Sequence, residues 1–407
     1  MWSAAPRSAE AEALYREAEE AKARDPRPFM LDPDAISARV LAKWPNYDEA
    51  ADEGWRTGFE RYVLSARDEG HLNALGERQM AGGAGFKLNA RLSISDVMQR
   101  NPEIARRIID RPIFITGGWR TGTTLLQRLL AAIPGLRGAY PSELTAPWRF
   151  ADLDQAAREA LISAGAGAHA MLHVLNPAMK GIHPSGGTLA EECNLAMGTD
   201  FQNWSYPATL RCPSYVHWLA QQDMTPSYRR YADILRMLDD GSGRRWILKA
   251  PVHTAALDSL FAAFPDARVI HLHRDVVQTV TSGASLFAVF RSTYSDRVDP
   301  VEVGRYQLET TALWTDRAMA ARERLGESAF IDMPFAELVA DPKAAIRRLS
   351  AACDVAWSEE AEQAANIRLA ELNEQHGAHR YAPEDFGLNA GEIRDRLSRY
   401  STHFGVA

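Results

Sequence analysis

The sequence predicts an α/β fold: a central parallel sheet flanked by helices, preceded by a helical extension. One observation is a repeated unit of short apolar run, turn and helically spaced segment. Ile113-Phe114-Ile115 lies between Pro112 and Gly117-Gly118, and Leu125, Leu126, Leu129, Leu130 and Ile133 follow at i, i+1, i+4, i+5 and i+8. Trp246-Ile247-Leu248 is followed in the same way by Ala256, Leu257, Leu260, Phe261 and Phe264. Strands alternating with helices of this length imply βαβ units and a parallel sheet covered on both faces. The other observation is that residues 8–108 carry helical, polar texture and no strong strand signal.

The extension spans 1–108. Its Ala-, Glu- and Arg-rich stretches, 8–24 and 48–68, alternate with Asp25-Pro26 and Gly82-Gly83-Ala84-Gly85, which read as breakers, and Asp34 reads as an N-cap. The α/β domain spans 109–407, with a helical insertion at about 145–240. Within it Pro134-Gly135 ends the first helix, Arg268 to Leu272 is a further strand, a helix runs from about Asp275 to Phe290, and Ala329-Phe330-Ile331 is a weaker strand. The insertion and extension together are expected to lid a pocket.

The chain has 407 residues and a net charge of −7, so no global basic field draws in nucleic acid, and an anionic ligand has to be held by a local cluster of Arg and Lys. Cys193, Cys212 and Cys353 lack metal-ligand spacing and read as reduced thiols. No signal-peptide pattern opens the chain, and no window approaches the ~18 apolar residues of a spanning helix. The expectation is a cytoplasmic protein with no nucleic-acid partner, and composition does not fix its oligomeric state.

Ligands of such sheets bind at the carboxyl ends of the strands. After the first strand comes Gly117-Gly118-Trp119-Arg120-Thr121-Gly122-Thr123-Thr124, opening a helix. Glycines allow a tight turn, and the helix start offers free N–H groups, so the segment reads as an anion cradle. The nucleotidase pattern GxxxxGK[ST] fits from Gly117 to Gly122 but then requires Lys where Thr123 stands. The strand ending at Leu272 leads into His273-Arg274 instead of a magnesium-binding Asp. These departures count against hydrolysis of ATP or GTP and favour a ligand whose charge is met by arginine without a metal. His271 reads as a core histidine, and Trp204, Trp218 and Trp314 as core or pocket wall.

The loop resembles the 5′-phosphosulfate loop of sulfotransferases that use 3′-phosphoadenosine 5′-phosphosulfate (PAPS), with Trp119 where that family has Pro. Val269 to Asp275 followed by Ser282 resembles the family's strand ending in Arg-Asp and helix serine, with the expected eight residues between Arg274 and Ser282. Ile247-Leu248-Lys249-Ala250-Pro251 resembles the Lys-x-Pro segment of the tyrosylprotein and related bacterial branches, and Lys249 precedes Arg274 by the expected 25 residues. Phe335 to Pro342 is similar to the Tyr-x-x-Leu-Val-x-Asp-Pro element, with Phe335 in place of Tyr. His379 to Leu388 is similar to a C-terminal loop of bacterial members.

The resemblance covers roughly 109–400 and implies a fold shared with nucleotide kinases, PAPS as cofactor and no metal. It implies that Gly118, Arg120, Thr121, Gly122, Thr123 and Thr124 hold the 5′-phosphosulfate. Arg274 and Ser282 then hold the 3′-phosphate, Arg380 and Tyr381 add cofactor contacts, and Lys249 offsets charge at the bridging oxygen. The expected acceptor is an unidentified small molecule with a hydroxyl or amine. Its proton goes to Glu143, 23 residues after Arg120, in preference to His183, which stands ahead of Glu191-Glu192. A small-molecule kinase using ATP, and a catalytically silent protein that binds PAPS or its product PAP, are the alternatives.

Overall fold

The computed structural model describes residues 1–49, 52, 54–165, 171–182, 186–373 and 381–406. Five strands, β1 (Ile113–Gly117), β2 (Leu136–Arg137), β3 (Arg245–Lys249), β4 (Arg268–His273) and β5 (Phe330–Pro334), form one sheet. Their order is β2-β3-β1-β4-β5 and every pairing is parallel. The four expected strands are present, each extending beyond its apolar run. With two residues, β2 is too short to leave a pattern and was not expected.

The helices that position the site are α1 (Ala9–Arg24), α2 (Pro33–Leu41), α3 (Arg56–Glu69), α4 (Ala74–Arg100), α5 (Thr123–Leu130), α6 (Pro141–Thr145), α7 (Val276–Tyr294), α8 (Pro300–Leu325) and α9 (Ser398–Phe404). Two expectations for the extension are corrected. Gly82-Gly83-Ala84-Gly85 lies inside α4 and does not break it. Each helical glycine costs roughly 1 kcal/mol relative to alanine. The buried stripe Met80, Ala81, Ala84, Leu88 and Leu92 offsets that cost through tertiary packing. The N-cap of α2 is Asp32, whose carboxylate accepts from the Ala35 N–H at 2.9 Å, and Asp34 lies in the first turn.

Strand alternation divides the core between the two faces of the sheet. Ile113 and Ile115 pack with Leu126, Leu129 and Leu130 of α5, while Phe114, Leu248 and Val269 face the other way. The extension completes that second core: Phe59 of α3 meets Phe201 edge-on at 5.0 Å, and Tyr62 meets Tyr206 at 4.5 Å. All three cysteines are buried and free. Among the described residues, no helix is long and apolar enough to cross a membrane.

Helix α9 is stapled to the end of β4. His273 Nδ1 meets the Tyr400 hydroxyl at 2.6 Å, its Nε2 meets Asp332 Oδ1 of β5 at 2.7 Å, and its ring stacks on Phe404 at 3.8 Å. His271, His273 and Asp332 have the spacing of a metal site. However, the Arg322 guanidinium of α8 donates to both Asp332 oxygens, at 2.7 and 2.8 Å, so a cation already occupies that carboxylate. His271 is fully buried, and burial holds its imidazole well below the usual range.

Candidate active site

Register brings the chemistry to one edge of the sheet. Gly117, the last residue of β1, pairs with Leu272 of β4, and Ile115 pairs with Lys249 of β3. The loop after β1, Lys249 and the His273-Arg274 corner therefore emerge together at the carboxyl end of the central strand.

The loop is shaped by close approach. A Cβ on Gly118 would lie 2.4 Å from Thr279 Cγ2 of α7, and one on Gly122, whose φ is +89°, would lie 3.0 Å from the Phe335 ring. Arg120 sits at φ +63°. A left-handed conformation in a residue other than glycine costs on the order of 1–3 kcal/mol and persists where surrounding contacts impose it. Here the Arg120 carbonyl accepts from Arg274 Nη1 at 2.6 Å, and the Thr121 hydroxyl donates to the Gly118 carbonyl at 2.8 Å. Burial lowers the pKa of the Arg120 guanidinium; Tyr381 opposes that shift and Arg274 adds to it. An anion between the two arginines would relieve this repulsion.

The cation that the loop lacks at position 123 is supplied by the neighbouring strand. Lys249 is fully buried, and its Nζ donates to Thr124 Oγ1 at the start of α5, at 3.0 Å, and to Glu192 Oε1 at 2.6 Å. Asn194 Nδ2 donates to the other Glu192 oxygen at 2.8 Å. The turn carrying Glu192 is itself anchored. Lys87 of α4 donates to the Leu195 and Met197 carbonyls at 2.6 and 2.9 Å, and Gln127 of α5 donates to the Glu191 carbonyl at 3.1 Å.

On the other flank, Arg274 lies over the Phe335 ring at 4.4 Å, and its Nε and Nη2 donate to Gln278 Oε1 at 3.1 and 2.7 Å. Ser282 is buried two turns along α7, its hydroxyl donating to the Thr279 carbonyl at 3.3 Å. Thr279 Oγ1 is buried beside the loop without a hydrogen-bond partner among the described residues. The loop residues, Lys249, Arg274 and Tyr381 are thus brought to one place, and Ser282 shares the helix face that touches the loop.

These residues fit a bisphosphorylated nucleotide: a glycine cradle, a helix N-terminus, two adjacent arginines, a buried ammonium and an orphaned hydroxyl. A family profile described as "Sulfotransferase family" matches residues 112–359. The chain belongs to the sulfotransferase family.

Among family relatives, the omega-hydroxy-beta-dihydromenaquinone-9 sulfotransferase Stf3 of Mycobacterium bovis is 27% identical over 261 residues, 60% of this chain and 62% of that protein. The chain thus matches under two thirds of the length of that curated relative. The crystal structure of sulfotransferase STF1 from Mycobacterium tuberculosis is similar at 29% identity and a TM-score of 0.78, over 90% of this chain and 98% of that one. Sulfotransferase STF9 from Mycobacterium avium has the same fold, with a TM-score of 0.80 at 23% identity over 93% of this chain and 98% of that one.

In this sulfotransferase-family chain Glu143, expected to take the acceptor's proton, is held by two arginines. It lies at the third position of α6, not in a loop, and is fully buried. Its Oε1 accepts from Arg137 Nη2 at 2.8 Å and Arg158 Nη1 at 2.7 Å, and its Oε2 accepts from the Tyr140 N–H at 3.0 Å. Arg137 is in register with Trp246, three residues short of Lys249, about 10 Å along β3. The carboxylate that meets Lys249 is Glu192. Sequence reasoning noticed Glu192 only as half of an acidic pair, because nothing along the chain links it to Lys249, 57 residues further on. His183 and Arg380 lie outside the described residues.

The contact at Gly118 yields a direct test of the cradle. Gly118→Ala forces the new methyl against Thr279 and should weaken PAP binding on the order of tenfold, within the 1–3 kcal/mol typical of overpacking. Adding Thr279→Ser deletes Cγ2, keeps the hydroxyl and should restore most of the affinity in a calorimetric titration.

Proposed function

We propose that this chain is a sulfotransferase that takes the sulfuryl group of PAPS and delivers it to a hydroxyl of a small-molecule acceptor, with Glu192 as general base. The observation that carries the reading is the Thr124–Lys249–Glu192 array at the loop mouth, where a cation and a carboxylate stand side by side. Bound PAPS would supply the sulfuryl group and leave as PAP.

The chain's own residues do the rest. The N–H groups at the start of α5 and Arg120 hold the 5′ end, and Arg274, Ser282 and the Thr279 hydroxyl, which has no partner among the described residues, take the 3′-phosphate. Glu192 receives the acceptor's proton as the new S–O bond forms and the bond to the bridging oxygen breaks. Lys249 and the Thr124 hydroxyl offset the charge left on that oxygen, a stabilisation that acts at its strongest in a buried site. Asn194, Lys87 and Gln127 keep Glu192 in position.

Incubation with radiolabelled PAPS and an acceptor library tests the proposal, with label expected on a hydroxyl and PAP as co-product. Turnover should persist in the presence of a metal chelator. Transfer from ATP, or activity lost to the chelator and restored by magnesium, would instead favour the kinase alternative.

A further inference from the structure

Beside the loop lies a group of polar atoms that the reaction above does not use. Gln307 of α8 is fully buried, and neither its amide nitrogen nor its amide oxygen has a hydrogen-bond partner among the described residues. The indole N–H groups of Trp119, Trp204 and Trp314 are also buried without a hydrogen-bond partner among the described residues. The four side chains belong to one assembly. Trp119 meets Phe287 of α7 at 5.1 Å and Trp314 at 5.8 Å, Trp314 meets Trp204 at 6.0 Å, and Trp314 lies two turns from Gln307 on the same face of α8. A Cβ on Gly283, next to Ser282, would come within 2.6 Å of Gln307 Oε1 and 3.5 Å of Trp119 Cβ.

Its place in the fold is informative. Trp119 is part of the loop, directly before Arg120, and Trp204 stands in the stretch that follows Glu192. Through Trp119 the assembly borders the loop on the donor side of the proposed reaction, and it runs from there through Trp314 to Trp204. Leaving a buried polar group unpaired is costly, so an amide and three indole N–H donors in an aromatic wall call for a partner that brings its own oxygen. No Asp, Glu, Lys or Arg is among these five side chains, and the Arg317 guanidinium that lies over Trp204 at 5.7 Å already donates to the Ala220 carbonyl.

We propose that Gln307, with the indole N–H groups of Trp119 and Trp314, is the specificity-determining element for the acceptor, and that the acceptor is a neutral, largely apolar alcohol or phenol with a second oxygen that this element reads. The assignment deepens the sulfotransferase reading and rests on it for the reacting hydroxyl, but the binding event stands by itself. Aromatic faces take the apolar body, the amide and indole donors take a carbonyl or ether oxygen, and polyols or acidic peptides are rejected because they would bury groups left unmatched.

The test uses the full chain, with and without PAP, and four probes: 7-hydroxyflavone, 2-naphthol, galactose and a glutamate-flanked tyrosine peptide. Binding is followed by calorimetry and tryptophan fluorescence, and transfer with radiolabelled PAPS. The two phenols should bind, the flavone more tightly for its carbonyl. Gln307→Met should erase about tenfold of the flavone's advantage, the loss of one buried hydrogen bond, without altering PAP affinity. The same variant removes an unsatisfied amide, so its melting temperature should be equal or higher.

Preference for galactose or the peptide, no binding of either phenol, or an unchanged flavone advantage in Gln307→Met would each overturn the assignment. The last outcome would mean that the amide holds an internal water only. Phenol binding that responds to Gln307→Met without any label transfer would instead fault the sulfotransferase reading and leave this one standing.

Discussion

Glu192→Gln is expected to reduce turnover by about 10²–10⁴-fold, the usual contribution of a positioned general base, with PAP affinity unchanged. The amide keeps the shape of the carboxylate and can still accept from Lys249, but it cannot take a proton. Because it leaves the buried Lys249 ammonium without its anion, some stability is lost as well, so turnover is read per folded molecule. Glu143→Gln is the contrasting variant. In it Arg137 keeps its pair with Asp240, but the Arg158 guanidinium is left facing a neutral amide in a buried cluster, and uncompensated buried charge costs about 3–5 kcal/mol. Its signature is a lower melting temperature with near-normal turnover per folded molecule. Thermal melts and single-turnover assays on both variants decide between the two glutamates. A catalytically dead but stable Glu143→Gln beside an active Glu192→Gln would reverse the assignment.

Arg274→Ala should abolish most of the preference for PAPS over adenosine 5′-phosphosulfate, which lacks the 3′-phosphate. The expected loss is about 2–5 kcal/mol, typical of truncating one partner of a desolvated charge pair. Because Arg274 Nη1 also holds the Arg120 carbonyl, some loss could come from a loosened loop. Thr279→Val separates the contributions: it removes only a hydroxyl that has no partner among the described residues, so stability should hold or rise while PAP affinity falls. Equal affinity of the unmodified chain for both nucleotides would exclude a 3′-phosphate site at this helix.

What the sequence disclosed and what it hid follow physical lines. The loop from Gly117 to Thr124 and the Arg274 corner were legible because each is a local device: a turn, a helix start, a strand end. The strands were legible because buried parallel strands are short apolar runs with Gly or Pro at their borders. Gly82 to Gly85 misled because the helix through them is held by packing against other elements, which local propensity does not record. The Lys249–Glu192 pair was hidden for a similar reason. It is made by pairing β3 with β1 and by a turn held down by Lys87 from the extension. Glu143 attracted attention through its distance from Arg120 along the chain, but distance along a chain does not fix direction, and its side chain turns toward Arg137 and Arg158.

A loop that carries its own lysine keeps its cation even when the surrounding sheet is disturbed. Here the ammonium belongs to β3 and reaches the mouth of the cradle only through the alignment of Ile115 with Lys249. Since successive side chains of a strand alternate between faces, slipping that alignment by one residue would point the lysine to the opposite side of the sheet. Chemical competence is therefore a property of the assembled scaffold: a half-formed chain with a fully shaped loop would capture anions and transfer nothing.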